Sequence, residues 1–343
     1  MMGRKTEKVL LTTPEEIENI LPENKELMED FLNYLETTDH SPKSIFVYKN
    51  NLEIFFVYLY KKEHNIDYVK VKKRHILNFQ NYMVKGGLSS ARIRNIKSTL
   101  SSLSNFIESM LDEEPKWENF RNIINKIPSP TLNTVREKTI LSDEQLEELL
   151  DKLIKLNKIQ IATFVAMSAF SGTRKAETIQ YQRSWFTPEN CKHGLYITPE
   201  IRTKGKGVLG KKLQKYCLKS KVDKYLELWD KEREEKNITI DDLFVVKRNG
   251  EWIPAKISTV DSWMETCSDL MAIPIYAHNF RHFFVSYLSR ESVPINVIKD
   301  IVGHEDVSMS ERYDDNPKED SFLKYFSDEG INKIEEKGLE DIK

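Results

Sequence analysis

Long apolar runs are missing from this chain. No stretch approaches the ~18 residues that a membrane-spanning helix requires, and hydrophobic residues make up 39% of the whole. The leading MMGRKTEKVLL lacks the extended apolar segment of a secretory signal, so a cytoplasmic protein without a membrane partner is expected. Cysteine is scarce. Cys191, Cys217 and Cys267 are odd in number and in no metal-ligand spacing, which argues against a disulfide framework and for reduced, packed thiols. Excess charge of one sign is also missing, with 52 basic against 54 acidic side chains. That balance discourages a nucleic-acid partner only until the distribution along the chain is read.

What is present is charge, 31% of the residues, and helical periodicity. At 343 residues the chain is long enough for two domains. Residues 1–22 are polar, with Glu15, Glu16 and Glu18, and read as a flexible N-terminal segment. From Asn24 apolar residues recur at helical spacing, first Leu27, Phe31, Leu32 and Leu35. Ser41-Pro42 opens a second helix with a stripe of Ile45, Tyr48, Leu52, Phe55, Phe56 and Leu59. A third carries Ile76, Phe79 and Met83 up to Gly86-Gly87; a fourth spans Ser90 to Met110, and a short one Phe120 to Ile127. This delimits a helical domain over residues 23–127, and the aperiodic PSPTLNTVREK at 128–138 reads as a linker.

The second domain, residues 139–326, opens with Ser142 and Gln145 in capping-box spacing ahead of Leu146, Leu149, Leu150 and Leu153. An apolar helix from Ile159 to Phe170 follows, then a strand at Tyr196–Thr198 and a turn at Gly205, Gly207 and Gly210 between strands. Helices resume at Val222–Glu235, Thr259–Met271, His278–Ser289 and Ile295–Val302. Residues 327–343 form an acidic tail. The chain is therefore mainly α, with one all-helical and one mixed domain.

Charge is unevenly spread. Between Lys61 and Lys97 ten basic residues face two acids, where an ordinary solvated face would mix signs; Lys72, Lys73, Arg74, Arg92, Arg94 and Lys97 are the candidate phosphate contacts. From Arg202 to Lys224 nine basic residues face one acid, which adds Arg202 and Lys206.

Metal-free attack on a phosphodiester needs a nucleophile in line with the leaving oxygen, cations on the non-bridging oxygens and an acid for the departing alkoxide. Arginine suits the second task, because its planar fork holds two phosphate oxygens and keeps its charge. Histidine or lysine can move the proton, and a tyrosine phenol can attack when cations favour its ionised form. His278 and Arg281 stand one helical turn apart, with His304 and Tyr313 further on.

With Ser171-Gly172-Thr173-Arg174 and Glu177, the His278-x-x-Arg281-His282 box, Gly303-His304, and Tyr313 nine positions later, the chain resembles the tyrosine recombinases, or phage-type integrases. The order and spacing match over about 140 residues, and the segment SPKSIFVYKNNLEIFFVYL is similar to that family's helical core-binding domain. The resemblance implies the tyrosine recombinase fold, with a SAM-like N-terminal domain and a catalytic domain holding a small antiparallel sheet. It implies that Arg174 and Arg281 clamp the scissile phosphate, that Tyr313 forms a 3′-phosphotyrosyl bond, that His278 assists proton transfer and that His304 binds a non-bridging oxygen. Lys204, or failing it Lys206, would be the hairpin lysine that protonates the leaving 5′ oxygen; Glu177 would support Arg174, and His282 is read as helix packing. No metal and no cofactor would be needed. The partners implied are double-stranded DNA and further copies of the chain, as a tetramer on DNA, with Phe322, Leu323, Tyr325 and Phe326 docking on a neighbour or folding back in cis. Integration or excision of a mobile element is the expected setting. Two departures stand out: no Arg-x-Val-Pro follows Lys204, and Ser308, Met309 and Ser310 replace the usual threonines before Tyr313. A non-cleaving DNA-binding regulator and a type IB topoisomerase are the alternatives.

Overall fold

Most of the apolar stripes read from the sequence close into helices, several of them at a capping residue or a proline. The computed structural model describes residues 11–131, 141–205 and 210–303 in full, and the backbone of Phe326–Ser327 and Gly330–Ile331. The chain divides into two compact units, Met1–Glu137 and, the tip of one hairpin aside, Lys138–Lys343.

The first unit is helical throughout: α1 (Pro14–Glu18), α2 (Pro22–Thr37), α3 (Pro42–Lys62), α4 (Lys73–Lys85) and α5 (Ser90–Met110). Proline occupies the first turn of α1, α2 and α3, where its missing N–H costs nothing. Helix α3 is the centre. Its residues from Leu52 to Leu59 are buried in unbroken succession, so it is surrounded on all sides rather than laid on a surface. Two polar contacts lie inside: Asn51 Nδ2 donates to Asn95 Oδ1 at 3.0 Å and to Thr99 Oγ1 at 2.8 Å, and the Tyr68 and Ser104 hydroxyls meet at 2.9 Å.

Four features of this unit differ from the sequence expectation. The flexible segment expected over 1–22 is folded from Thr13 on, where Thr13 and Glu16 exchange hydrogen bonds to cap α1. Ile20 is buried and the Asn65 side chain joins Leu21 N–H to the Asn19 carbonyl; the first ten residues lie outside those described. The helix expected at Phe120–Ile127 is only a 3-10 turn at Ile124–Lys126, because Asn122 turns its side chain onto Ile124 N–H and onto Ser101 and Asn105, offering the backbone an alternative to the helix. The linker begins anchored: the Pro128 and Pro130 carbonyls accept from Gln80 and Arg94. Lys97, counted among the phosphate contacts, is buried. Its ammonium donates to Gln80 Oε1 at 3.0 Å and to the Ile127 carbonyl at 2.7 Å, so it ties α5 to the end of the domain and offers nothing to a ligand. Lys72, Lys73, Arg74 and Arg94 do lie on the surface.

The second unit is mixed. Helix α6 (Asp143–Lys155) carries the expected capping box, Ser142 N–H to Gln145 Oε1 and Gln145 N–H to Ser142 Oγ. Helix α7 (Ile159–Ala169) is buried along almost its whole length, as a helix apolar on nearly every face must be. After the short α8 (Lys175–Thr178) come a three-stranded antiparallel sheet of β1 (Cys191–Lys192), β2 (Leu195–Ile197) and β5 (Tyr216–Leu218), and a separate hairpin of β3 (Ile201–Thr203) and β4 (Lys211–Leu213). Helices α9 (Lys219–Glu235), α10 (Ile257–Met271), α11 (Ala277–Arg290) and α12 (Ile295–Val302) complete it. Between α9 and α10 lies a hairpin absent from the sequence expectation, β6 (Val245–Arg248) with β7 (Glu251–Pro254). Its turn is Asn249-Gly250, both with positive φ, 51° and 88°, the type I′ signature. In the tail, β8 (Phe326–Ser327) pairs with β9 (Gly330–Ile331) across the boundary expected at 326/327. Cys217 and Cys267 are buried and all three thiols are free. No described helix is long and apolar enough to cross a membrane.

Lys97→Met should lower unfolding free energy by about 1–3 kcal/mol, because the Ile127 carbonyl and Gln80 lose a buried donor, whereas Lys73→Ala on the surface should stay within about 0.5 kcal/mol. Urea unfolding midpoints of the two variants check this; equal midpoints would refute the buried role.

Candidate active site

The turn Ser171-Gly172-Thr173 carries Arg174, and buried hydroxyls hold it. Ser171 Oγ donates to the Met167 carbonyl at 2.6 Å, and Thr173 Oγ1 meets Ser171 Oγ at 2.8 Å and Thr178 Oγ1 at 2.7 Å. Gly172 is required twice over. Its φ is +62°, and a Cβ there would lie 2.5 Å from Phe284 Cδ1 on α11, so both conformation and space exclude a side chain.

Arg174 is the N-cap of α8. Glu177, in the first turn of that helix, accepts from Arg174 N–H through Oε2 at 3.1 Å and from its guanidinium through Oε1 at 2.9 Å. Two anchors on one carboxylate leave Arg174 little freedom, yet its side chain stays 26% exposed. Glu177 is itself buried. Burial pushes its pKa up, but Lys215, the Arg174 backbone N–H and the Arg174 guanidinium outweigh this and hold it below the usual carboxylate range.

The buried cation that makes this possible is Lys215, whose Nζ lies 3.2 Å from Glu177 Oε2 with the side chain 1% exposed. Residue 215 precedes β5, and its backbone is locked to β2: Lys215 N–H donates to Thr198 Oγ1 and Thr198 N–H to the Lys215 carbonyl, each at 2.9 Å. Sequence reasoning counted this lysine only as part of a basic stretch. Its signal was its setting, a single charge in the run Leu213-Gln214-Lys215-Tyr216-Cys217-Leu218.

Arg281, on α11, is fully buried. Its Nη1 donates to the Gly172 carbonyl at 2.7 Å and its Nη2 to the Val302 carbonyl at 2.9 Å, so one guanidinium joins the Arg174 turn to the end of α12. Gly303 terminates α12 with φ +70°, and a Cβ there would stand 3.2 Å from Lys215 Nζ. His278 lies one turn before Arg281, its ring 5.3 Å from that of His282 in an edge-on contact. The ring is exposed on one side, but desolvation by its packed neighbours, then the positive His282, Arg281 and Arg174, push its pKa down to about 4, so the imidazole is neutral at neutral pH. Arg174 and His278 line one cavity of about 750 Å³, whose other wall includes Asp261, Glu265 and Tyr276.

The structure thus brings Arg174, Glu177, His278 and Arg281 to one place. Lys204 follows β3 at the hairpin tip and is exposed, with Arg202 also exposed on β3 opposite Lys212. His304, Tyr313 and Lys206 lie outside the described residues. Among the described residues no group of three or more His, Cys, Asp or Glu is placed to hold a metal ion.

Because the folded state holds His278 neutral, the unfolded chain binds a proton there first as pH falls below ~6.5. The stability contribution of that site is intact above ~6.5 and is lost as pH falls toward about 4. A ring-carbon NMR titration of the free protein should therefore give His278 a midpoint far below that of an exposed histidine; a midpoint at or above ~6.5 would refute the assignment.

Residues 139–320 match the phage integrase family. Similar proteins include the SPbeta prophage-derived recombinase-like protein YomM of Bacillus subtilis (strain 168), 27% identical over 87% of this chain and 89% of that protein, and a tyrosine recombinase of Thermosipho africanus (strain TCF52B), 22% identical over 84% of this chain and 93% of that protein. Among solved structures, the pre-cleavage complex of XerH with its difH substrate superposes with a TM-score of 0.59 at 19% identity, covering 93% of this chain and 99% of that one. A lambda integrase dimer bound to a COC′ core site gives 0.60 at 14%, covering 91% and 80%. The fold is theirs, and with the family match spanning more than half its length, this chain belongs to the phage integrase family of tyrosine recombinases.

Proposed function

We propose that the protein is a site-specific DNA recombinase that cuts and rejoins strands through a 3′-phosphotyrosyl intermediate, in the integration or excision of a mobile element. The observation that carries this reading is the convergence of Arg174, Arg281 and a neutral His278, drawn from two segments more than 100 residues apart in sequence, within the second unit. A scissile phosphate would meet Arg174 first, because that guanidinium reaches solvent, while Arg281 adds charge from behind through its hold on the Gly172 turn.

In the proposed step the Tyr313 phenolate oxygen attacks phosphorus and the bond to the 5′ oxygen breaks. The phenol proton passes toward His278, whose neutral ring can accept it. Lys204 supplies a proton to the departing 5′ oxygen, and His304 binds a non-bridging oxygen. Attack by a 5′ hydroxyl on the tyrosyl phosphate reverses the sequence and releases Tyr313. One phosphodiester is exchanged for another, so the bond energy is kept and no nucleotide cofactor enters. A prophage-derived relative supports the mobile-element setting. Solved relatives bound to a difH substrate, to a COC′ core site and to transposon right end DNA support double-stranded DNA as the partner, with assembly as a tetramer following from exchange between paired sites. Lys72, Lys73, Arg74, Arg92 and Arg94 are the phosphate-backbone contacts of the first unit, joined by Arg202 and Lys206, whereas the buried Lys97 makes none.

Incubation with a nicked suicide substrate of the cognate site tests the reading. Wild type should accumulate a covalent protein–DNA complex and Tyr313→Phe none, at unchanged affinity. Binding without any covalent product would favour a non-cleaving regulator, and relaxation of any supercoiled plasmid a topoisomerase. Alanine at Lys72, Lys73 and Arg74 together should flatten the slope of log affinity against log salt by roughly 2–3, at ~0.9 for each phosphate no longer neutralised; an unchanged slope would remove these residues from the interface.

A further inference from the structure

Lys215 has no place in the strand-exchange chemistry just described, and its position asks for one. The side chain is 1% exposed, and its nearest charged partner is Glu177 Oε2 at 3.2 Å. Glu177 is already committed through Oε1 to the Arg174 guanidinium at 2.9 Å. The Gly303 turn closes over the ammonium from the other side, where even a methyl group would come within 3.2 Å of Nζ. Stability alone is a poor account of such a group. Removing an ammonium from water costs several kcal/mol, and an apolar side chain of the same shape usually serves a fold as well or better. The backbone needs no help either, since Thr198 holds residue 215 through two hydrogen bonds.

Charge supplies the missing reason. With Arg174 and Glu177 alone, the carboxylate that orients the arginine would also cancel its charge, and the phosphate would meet a neutral pair. With Lys215 on the inner oxygen, the three groups sum to one positive charge, carried outward by the only member of the three that reaches solvent. We infer that Lys215 is a positioning residue of the phosphate clamp: it neutralises the inner oxygen of Glu177 so that this carboxylate can orient Arg174 while the clamp stays cationic. The inference rests on the strand-cleaving reading above. Burial, with Arg281 and Arg174 adding to it, lowers the lysine's pKa against the opposing pull of Glu177. Glu177 is therefore as necessary to Lys215 as Lys215 is to Glu177.

The experiment is single-turnover cleavage of the suicide substrate by the full chain at saturating protein, comparing wild type, Lys215→Met, Glu177→Gln and the double variant. Circular dichroism fixes a temperature at which all four are folded. The amplitude reports the active fraction and the rate constant reports the clamp. Lys215→Met should cut the rate constant about tenfold or more, equivalent to about 1.4 kcal/mol of transition-state stabilisation, with DNA affinity and amplitude little changed. The double variant, in which a neutral amide still faces Arg174, should cleave faster than Lys215→Met alone. A Lys215→Met rate constant equal to wild type overturns the inference, as does a loss confined to amplitude, which would make the lysine merely structural. Recovery of Lys215→Met on a substrate with sulfur in place of the leaving 5′ oxygen would also overturn it, because a thiolate departs without a proton and Lys215 would then be the acid itself. Wild type that forms no covalent complex sinks the cleaving reading and this inference with it; wild type that cleaves while Lys215→Met cleaves equally fast sinks only the latter.

Discussion

The second unit depends on one buried guanidinium. Arg281 donates to the Gly172 carbonyl with one nitrogen and to the Val302 carbonyl with another, and those carbonyls belong to the turn that presents Arg174 and to the C-terminal end of α12. A fully buried arginine is expensive unless its donors are used, and here their use joins three segments that local structure alone would leave independent. The α12 end is also where helix carbonyls lack intrahelical partners, so a cation there is favoured by the helix dipole as well. Gly172 and Gly303 complete the arrangement by taking left-handed conformations, the first where a side chain would collide with Phe284 and the second where it would crowd Leu213 and Lys215.

Around that joint, charge is arranged economically. One carboxylate, Glu177, serves a guanidinium, a backbone N–H and an ammonium. The same positive surroundings account in part for the depressed pKa of His278: a ring beside Arg174, Arg281 and His282 resists a second charge. Cationic groups that would hold a phosphate thus also keep the neighbouring imidazole able to accept a proton. These are two consequences of one field, and they require no separate device.

The first unit shows a different use of the same residue types. Lys97 and Asn51 are buried, and the Lys97 ammonium and the Asn51 amide nitrogen donate to side chains and a carbonyl, so they specify how α3, α5 and the start of the linker fit together. Lys72, Lys73 and Arg74 lie within one exposed stretch at the start of α4. A count of basic residues along the chain could not separate these roles, because burial is a property of the packed helices and not of the local spacing.

Helix positions were legible from the chain alone wherever a stripe of apolar residues met a cap, as at Ser142–Gln145 or over Ser90–Met110, because both signals are local in sequence. So were the motif residues Arg174, Glu177, His278 and Arg281, through the resemblance they carry. The 3-10 turn at Ile124–Lys126 was not, since it follows from Asn122 finding partners on α5. The β6–β7 hairpin has one local mark, its Asn249-Gly250 turn. Lys215 was marked in sequence only as the single charge of its run, and its role was not legible there, because that role comes from a carboxylate 38 positions earlier. Local pattern determined the elements and named the chemistry; only the packed structure decided which charges are buried against one another, because that depends on contacts between segments far apart in the chain.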